Sequence, residues 1–283
     1  MEVETLCTWR DLDDAISDPA WGSHPEHTRP TVVFRGLARA DYSNVTSLAR
    51  LAGDYPAVER HLLRNFRKYA YQRAPGPTTW DWLALGQHHG LPTRLLDWTF
   101  SPLVALHFAT ASWPEQDAVL WSVDCAQVHD SLPRVLRDVL DAEGALVFTT
   151  EQLARAAPDV GDLHQLEERG RPFGLFLEPP TFDERIASQA AVLSVMSDPT
   201  CELDAWLESR GAIGRAWHIP AELKTEVRRR LDQAQITERS LMPGLDGLAA
   251  WLRRYYSPQR EPSFAGASMA GSEDHSQEEG SMA

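Results

Sequence analysis

The sequence is poor in cysteine: Cys7, Cys125 and Cys201 are the only three among 283 residues. Their number is odd and no two form a CxxC pair, which speaks against a disulfide framework or a zinc knuckle and fits a reducing cytoplasm. No apolar run approaches the roughly 18 residues that a membrane-crossing helix needs. The opening segment, MEVETLCTWRDLDDAI, has acidic residues where an export signal carries a basic stretch and then a long apolar one, so no such signal is expected. Positive charge is also short, with 27 Lys and Arg against 41 Asp and Glu and a formal net charge of −14. That balance argues against broad binding to duplex nucleic acid, whose affinity rests on phosphate contacts. It leaves room for a local arginine pocket that holds one phosphate group.

What is present is ordinary in bulk and specific in places. Hydrophobic residues make up 43% and charged residues 24%, the mixture of a water-soluble globular domain. Ten Trp and nine Phe supply large side chains for a full core. No repeat is evident, and no linker is long enough to separate a second domain from a first, so residues 1–257 read as one domain. Residues 258–283 are rich in Ser, Gly and Glu and nearly free of branched aliphatics. They bury too little to offset their ordering entropy and are expected to be a disordered tail.

Periodicity places the elements coarsely. Thr8 caps a short amphipathic helix over Trp9 to Leu12. Thr31 to Arg35 is a β-rich run ending at Gly36. Pro56 to Tyr71 reads as a helix with Val58, Leu62, Phe66 and Tyr69 inward and Arg60, Arg64, Arg67 and Lys68 on its solvated side. Trp80 to His89 is a second helix, with Trp82, Leu83 and Leu85 inward. Ser101-Pro102 opens a third, with a hydroxyl at the cap and proline in the first turn. Its body, LVALHFATA, is apolar nearly all round and should be buried. Ala118 to Val123, Phe173 to Leu177 and Ala190 to Val195 are strand candidates. Pro220 to Leu231 and a last helix through Leu245, Leu248 and Leu252 complete the pattern. Strands and helices do not alternate strictly, which predicts an α+β fold with a mixed sheet.

Three segments carry the chemistry. In Phe34-Arg35-Gly36-Leu37, Val32 and Phe34 fall on one face of the strand and Val33 and Arg35 on the other. A guanidinium suits bidentate phosphate binding, and Gly36 allows backbone or ligand to come close. A salt-bridged strand-end arginine would explain the tetrapeptide equally well. The second segment, Gly86 to Thr99, packs Gln87, His88, His89, Thr93, Arg94, Asp97 and Thr99 into a stretch bracketed by two glycines and a proline. It reads as a shaped loop anchored by Leu95 and Leu96, either a ligand site or a structural lock in which Arg94 pairs with Asp97. A His88-His89 metal pair is disfavoured, since adjacent residues rarely converge on one ion and no third ligand is evident. In the third segment, Arg185 to Leu193, Gln189 stands at the start of an apolar strand and needs a polar partner.

Together these segments resemble the FRG-domain family, which takes its name from Phe-Arg-Gly and also carries a Gln-His-x-Gly-x-Pro-Thr-Arg-x-x-Asp-Trp-Thr loop. That loop is complete here from Gln87 to Thr99 and continues into Ser101-Pro102-Leu103 and Phe108-Ala109. Ser47-Leu48 with Arg50, Ile219-Pro220 and the run Ser240 to Gly247 match as well, so the likeness spans most of residues 5 to 256. The family's Arg-x-x-x-Gln-x-Gly-x-Phe is altered to Arg185, Gln189, Ala191 and Leu193.

A looser similarity reaches the ADP-ribosyltransferases, whose first core strand ends in aromatic-Arg-Gly and whose later Ser-Thr-Ser strand leads into a Ser-Pro-x-x-Ala helix. The resemblance implies an ADP-ribosyltransferase-like domain with NAD or a related nucleotide as ligand or substrate. It would transfer or hydrolyse ADP-ribose in a defence or toxin context, on an unknown protein or nucleic-acid acceptor. Arg35, Gly36, Gln87, Arg94, Thr99 and Gln189 would then bind the ligand. Asp97 would stabilise the oxocarbenium character of a breaking glycosidic bond, and His88 or His89 would assist by proton transfer. In those transferases a glutamate on a late strand supplies the carboxylate, whereas this chain offers Gln189 and Ala191 there. The other reading is a non-catalytic ligand- or protein-binding module. A metal-assisted hydrolase is a remote third.

Overall fold

The short β-branched and aromatic runs of the sequence assemble into one sheet in the computed structural model, which describes residues 3–17, 31–51, 54–73, 75–211 and 213–257. In chain order the elements begin with β1 (Val3–Thr5), α1 (Trp9–Ile16), β2 (Val32–Leu37), α2 (Tyr55–Tyr69), α3 (Thr79–His88), β3 (Leu95–Thr99) and α4 (Pro102–Thr110). Then follow β4 (Ala118–Asp124), α5 (Cys125–Asp130), α6 (Arg134–Glu143), β5 (Phe148–Thr149), α7 (Thr150–Ala156), α8 (Asp162–Gln165) and β6 (Gly174–Glu178). The last are α9 (Glu184–Ser188), β7 (Ala191–Met196), α10 (Leu203–Ser209), β8 (Gly214–Ile219), α11 (Ala221–Gln233), α12 (Glu238–Leu241) and α13 (Leu245–Tyr255). Among the described residues no helix is long and apolar enough to cross a membrane. The expected tail, residues 258–283, lies outside the described residues.

The strand order is β1-β8-β4-β2-β3-β7-β6-β5. β1–β8 and β5–β6 run parallel and the other neighbours antiparallel, so the class is α+β with a mixed sheet. One junction is weak. β2 aligns with β4 from Val32↔Asp124 to Leu37↔Val119, and β3 aligns with β7 from Leu95↔Val195 to Thr99↔Ala191. Between β2 and β3 the register holds only Phe34↔Thr99. The sheet is therefore two four-stranded halves joined at a single residue pair.

Side-chain alternation along the strands divides the interior accordingly. One face carries a core shared by both halves, with Val33, Leu37 and Trp121 meeting Leu96, Trp98 and Phe176 beneath Trp206 of α10. On the opposite face the core is split. Val32, Phe34 and Leu120 pack under α4 and α11, while Leu95, Leu193 and Val195 pack under α3, α6 and α7. A cleft opens where these two cores diverge.

Several local rules act as the sequence suggests. Thr8 and Thr78 each close a capping box with the aspartate three residues on, Asp11 and Asp81. Ser101 Oγ accepts from the Val104 amide, with Pro102 in the first turn of α4. α4 then lies directly on β2. A Cβ added to Gly36 would stand 1.9 Å from the Ala105 carbonyl oxygen and 2.7 Å from the Ala109 amide. The glycine after Arg35 is therefore required by a helix backbone.

Three expectations need correction. Leu95 to Thr99 is an interior strand rather than loop, because alternating burial on both faces of the sheet overrides the turn-forming residues before it. α2 is rotated by about one residue from the expected apolar face: Glu59 and Leu63 are buried, while Val58 and Tyr69 are exposed. Gln189 caps the C-terminus of α9, and β7 starts two residues later. The last helix, α13, forms over the expected leucines, with Leu248 half-buried and Leu245 82% exposed. It docks through Gly247, whose missing side chain admits the Met242 carbonyl, and through Arg254, which pairs with Asp232 and Glu238.

His129 ties α5 to the β5–β6 half: Nδ1–H donates to the Leu146 carbonyl at 2.7 Å, and Nε2 accepts the Phe176 amide at 2.9 Å. These partners require a neutral ring, and burial lowers its pKa from 6.5 to about 4 despite the Leu146 bond. Between those two values the unfolded chain binds more protons than the folded one, so stability falls as pH drops from 6.5 to 4. Urea unfolding should show a loss of roughly 3 kcal/mol from this ring alone, and His129→Gln should lose correspondingly less over the same range. Gly36→Ala should cost about 3 kcal/mol by overpacking. An unchanged urea midpoint would mean that α4 moves away freely.

Candidate functional site

The cleft has a volume of about 230 Å³. Its apolar wall comes from Phe34, Ala84, Val104, Ala105, Phe108 and Leu193, and its polar groups from Arg35, Gln87, His88, Asp97, Thr99, Arg185 and Gln189. β2 and β3 form the floor, α3 and α4 the sides, and α9 with the start of β7 the rim. Alternation explains why Asp97 and Thr99 face the opening while Leu96 and Trp98 face the shared core.

Asp97 is the only carboxylate on the wall among the described residues, and its side chain is exposed to the opening. Gln87 Nε2 donates to its Oδ2 at 2.9 Å. The Gln87 amide is oriented from behind, because its Oε1 accepts the Thr93 hydroxyl at 2.5 Å and that hydroxyl oxygen itself takes the Leu95 amide at 3.1 Å. Thr93 is held in turn by Ser47 Oγ, which accepts its amide at 3.0 Å, and by the Leu48 amide on its carbonyl. A chain of hydrogen bonds running back to the buried Thr93 thus fixes one carboxylate at the edge of an apolar cleft.

Arg35 sits at the parting of the strands. Nη1 donates to the Asp97 carbonyl at 2.5 Å and Nε to Asn44 Oδ1 at 2.9 Å. Asn44 is buried and is held by Asp204, which accepts from its amide at 3.0 Å and its Nδ2 at 2.7 Å. Burial pulls the guanidinium below its ordinary pKa, the charges of Asp97 and Asp204 oppose that, and Arg50 adds to the lowering. The group remains a cation. Nη2 makes no hydrogen bond among the described residues, and Arg35 lines the cleft.

The remaining expected residues divide. Thr99 lines the cleft, but its hydroxyl donates to the Gln189 carbonyl at 2.7 Å and accepts the Ser101 amide at 3.0 Å, which locks the β3–α4 turn to the rim. Gln189 also lines the cleft while its Nε2 donates to the Leu241 carbonyl of α12 at 2.9 Å. The chain turns into β7 through Ala190 at φ 45°, a left-handed conformation that costs a residue with a Cβ on the order of 1 kcal/mol.

His88 lines the cleft, and its Nε2 donates to Asp183 at 2.7 Å. Burial works to raise the Asp183 carboxyl, but the His88 bond and the Arg185 and Ile186 amides outweigh it and leave the carboxyl below its usual range. His89 is exposed outside the cleft, its ring set edge-on to His88. Burial, then the charges of His88 and Arg73, lower its pKa. Among the described residues no three His, Cys, Asp or Glu gather as a metal site.

Arg94 is not in the cleft and does not pair with Asp97. Its Nε donates to Glu59 at 2.8 and 2.9 Å, Nη2 also bonds Glu59, and Nη1 donates to the Val160 carbonyl. Both side chains are buried. Sequence reasoning passes over Glu59 because it is the lone acid in a helix of exposed arginines. The signal is its spacing with Leu63 and Phe66, which places a carboxylate on the apolar face. Asn44 and Asp183 lie in segments without periodicity and offer no comparable signal. Arg185 ends at the cleft mouth with its side chain unpaired among the described residues.

Residues 30–118 match the family model of the FRG domain. That span runs from β2 through α4 to the first residue of β4, and it contains Arg35, Gln87, Asp97, Thr99 and the apolar wall of α4. The rim of α9 and β7 lies beyond it. No curated protein and no solved structure matches the chain.

Asp97 in the cleft and Glu59 in the interior have separable roles. Glu59→Gln should destabilise the protein by about 3 kcal/mol or more, because it leaves the Arg94 charge buried without its partner. Asp97→Asn, on an exposed side chain, should change stability by less than about 1 kcal/mol. Denaturant titration of both variants checks this. The reverse ranking would make Asp97 the structural lock.

Proposed function

We propose that this FRG-domain protein binds a nucleotide of the NAD type in the cleft and acts on its glycosidic bond as an ADP-ribosyltransferase-like enzyme. One observation carries the reading: a single oriented carboxylate, Asp97, stands at the edge of an apolar pocket with the Arg35 guanidinium beside it. A carboxylate so placed can stabilise the oxocarbenium character that develops as nicotinamide leaves. Gln87 spends one donor on the inner oxygen and leaves the other oxygen free to face the ribose.

The dimensions support binding of one end of such a ligand. The cleft, at about 230 Å³, is smaller than the roughly 300–1,000 Å³ of sites that enclose a drug-sized molecule. It would hold a ring and its sugar against Phe34 and Phe108, with the phosphates passing Arg35 Nη2 towards Arg185 at the open mouth. His88, already bonded to Asp183, would act as a hydrogen-bond donor at the wall. His89 stands too far out to take the same role.

Binding without turnover is the second reading, and a specific feature favours it. The late strand brings no acid to the cleft: Gln189 turns its amide to Leu241, and Ala191 presents a methyl group. If two acids are needed, the site only holds its ligand.

The test is calorimetric titration of NAD and ADP-ribose into the full chain, with chromatographic assay of nicotinamide release. NAD should bind, and Asp97→Asn should reduce release by orders of magnitude while leaving affinity within a few fold. Arg35→Lys should weaken binding by about 2 kcal/mol, the scale of a charge-assisted hydrogen bond, or roughly thirtyfold. Melting curves serve as the control, because Arg35 also bridges β2 and β3. Binding with no release would establish the second reading, and no heat with either ligand would remove the nucleotide altogether.

A further inference from the structure

The exposed face of α2 carries positive charge that no acid among the described residues pairs with. Between Arg60 and Arg73 the sequence has five cations, namely Arg60, Arg64, Arg67, Lys68 and Arg73, and no Asp or Glu, in a chain of formal charge −14. All five are exposed, and among the described residues none forms an ion pair. The one acid on the helix body, Glu59, is turned inward to Arg94. Elsewhere exposed arginines do find carboxylates, as Arg39 does with Asp41 and Arg155 with Glu143. Like charges crowded on one helix repel, so the arrangement costs stability that an anionic partner would return.

Two rings lie among these cations. Tyr69 is 83% and Tyr71 78% exposed, at the end of α2 and in the single turn of 3-10 helix that follows. Lys68 Nζ stands 5.4 Å from the Tyr69 ring centre, and Arg67 packs over Trp82 of α3 at 5.6 Å. The strip then continues to the cleft. Arg73 lies near enough to His89 for its charge to oppose protonation of that ring, as does Arg185 at the mouth.

We propose that α2 and the turn after it bind single-stranded nucleic acid, with phosphates on the five cations and bases stacked on Tyr69 and Tyr71. Cations alone would suit any polyanion, and the bare rings decide between them. An unpaired base has a π-face to lay on a tyrosine, whereas a duplex hides its bases and an acidic peptide has none. The inference goes beyond the reading of the cleft and does not depend on it.

The experiment is fluorescence anisotropy of fluorescein-labelled 12-nucleotide dT and rU strands with the full chain, in the absence of NAD. Binding is expected at 50 mM salt and should weaken about 50-fold to 130-fold by 200 mM, the slope for four to five phosphates on a single strand. The double variant Arg64→Glu, Lys68→Glu changes only exposed side chains and should abolish binding. Tyr69→Ala with Tyr71→Ala should weaken it about thirtyfold or more, the scale of two stacked bases at about 1 kcal/mol or more each. No binding at 50 mM salt, or binding that survives the charge reversal, would overturn the proposal. Equal affinity for a 12-base-pair duplex, or competition by polyglutamate that the tyrosine changes leave untouched, would assign the strip to another polyanion and overturn it equally.

Discussion

After Phe34 pairs with Thr99, β2 and β3 have no further ladder bond to share, and the backbone groups where they separate need other partners. Continued in register, Asp97 would oppose Gly36. Instead the Asp97 carbonyl takes its hydrogen bond from the Arg35 side chain. That substitution holds two half-sheets together while keeping them apart, and the cleft is the space that results. Asn44 and Asp204 complete the device by fixing the other edge of the guanidinium. The same cation is thus a strut of the sheet and the candidate phosphate ligand, which limits it to one free edge.

The close approach of α4 follows from the same separation. A helix can lie over β2 at Gly36 only because no Cβ intervenes, and the Ser101-Pro102 start aims it there. Phe34, Gly36, Val104, Ala105 and Phe108 then form one apolar wall. The Phe-Arg-Gly segment and the Ser-Pro helix are therefore two sides of a single packing contact, which accounts physically for their presence together in the span that matches the FRG domain.

Charge is distributed by depth. The buried Arg94–Glu59 pair ties α2 to the segment that enters β3. Such a pair specifies geometry more than it stabilises, given the desolvation of both ions. Its consequence lies on the outside of the same helix: with Glu59 drawn in, the exposed face of α2 is left with cations alone. One inward carboxylate thus holds α2 to the segment that enters β3 and leaves the helix surface without negative charge.

The sequence by itself determined the local pieces. The capped start of α4, the Thr8 cap of α1 and the α+β class were all legible, because capping, periodicity and residue type act over a few neighbours. The face of α2 reads one residue out of place, since a buried Glu59 counts as polar until Arg94 is seen against it. β3 reads as loop because its burial comes from β7 and from the shared core, both distant in sequence. Which residues share the cleft was likewise a tertiary decision. Arg35 and Asp97 are 62 positions apart, and only the separation of β2 from β3 sets one against the other, while the same strand order carries Arg94 away to Glu59. Contacts of that kind depend on which strands become neighbours, and no local rule along the chain encodes it.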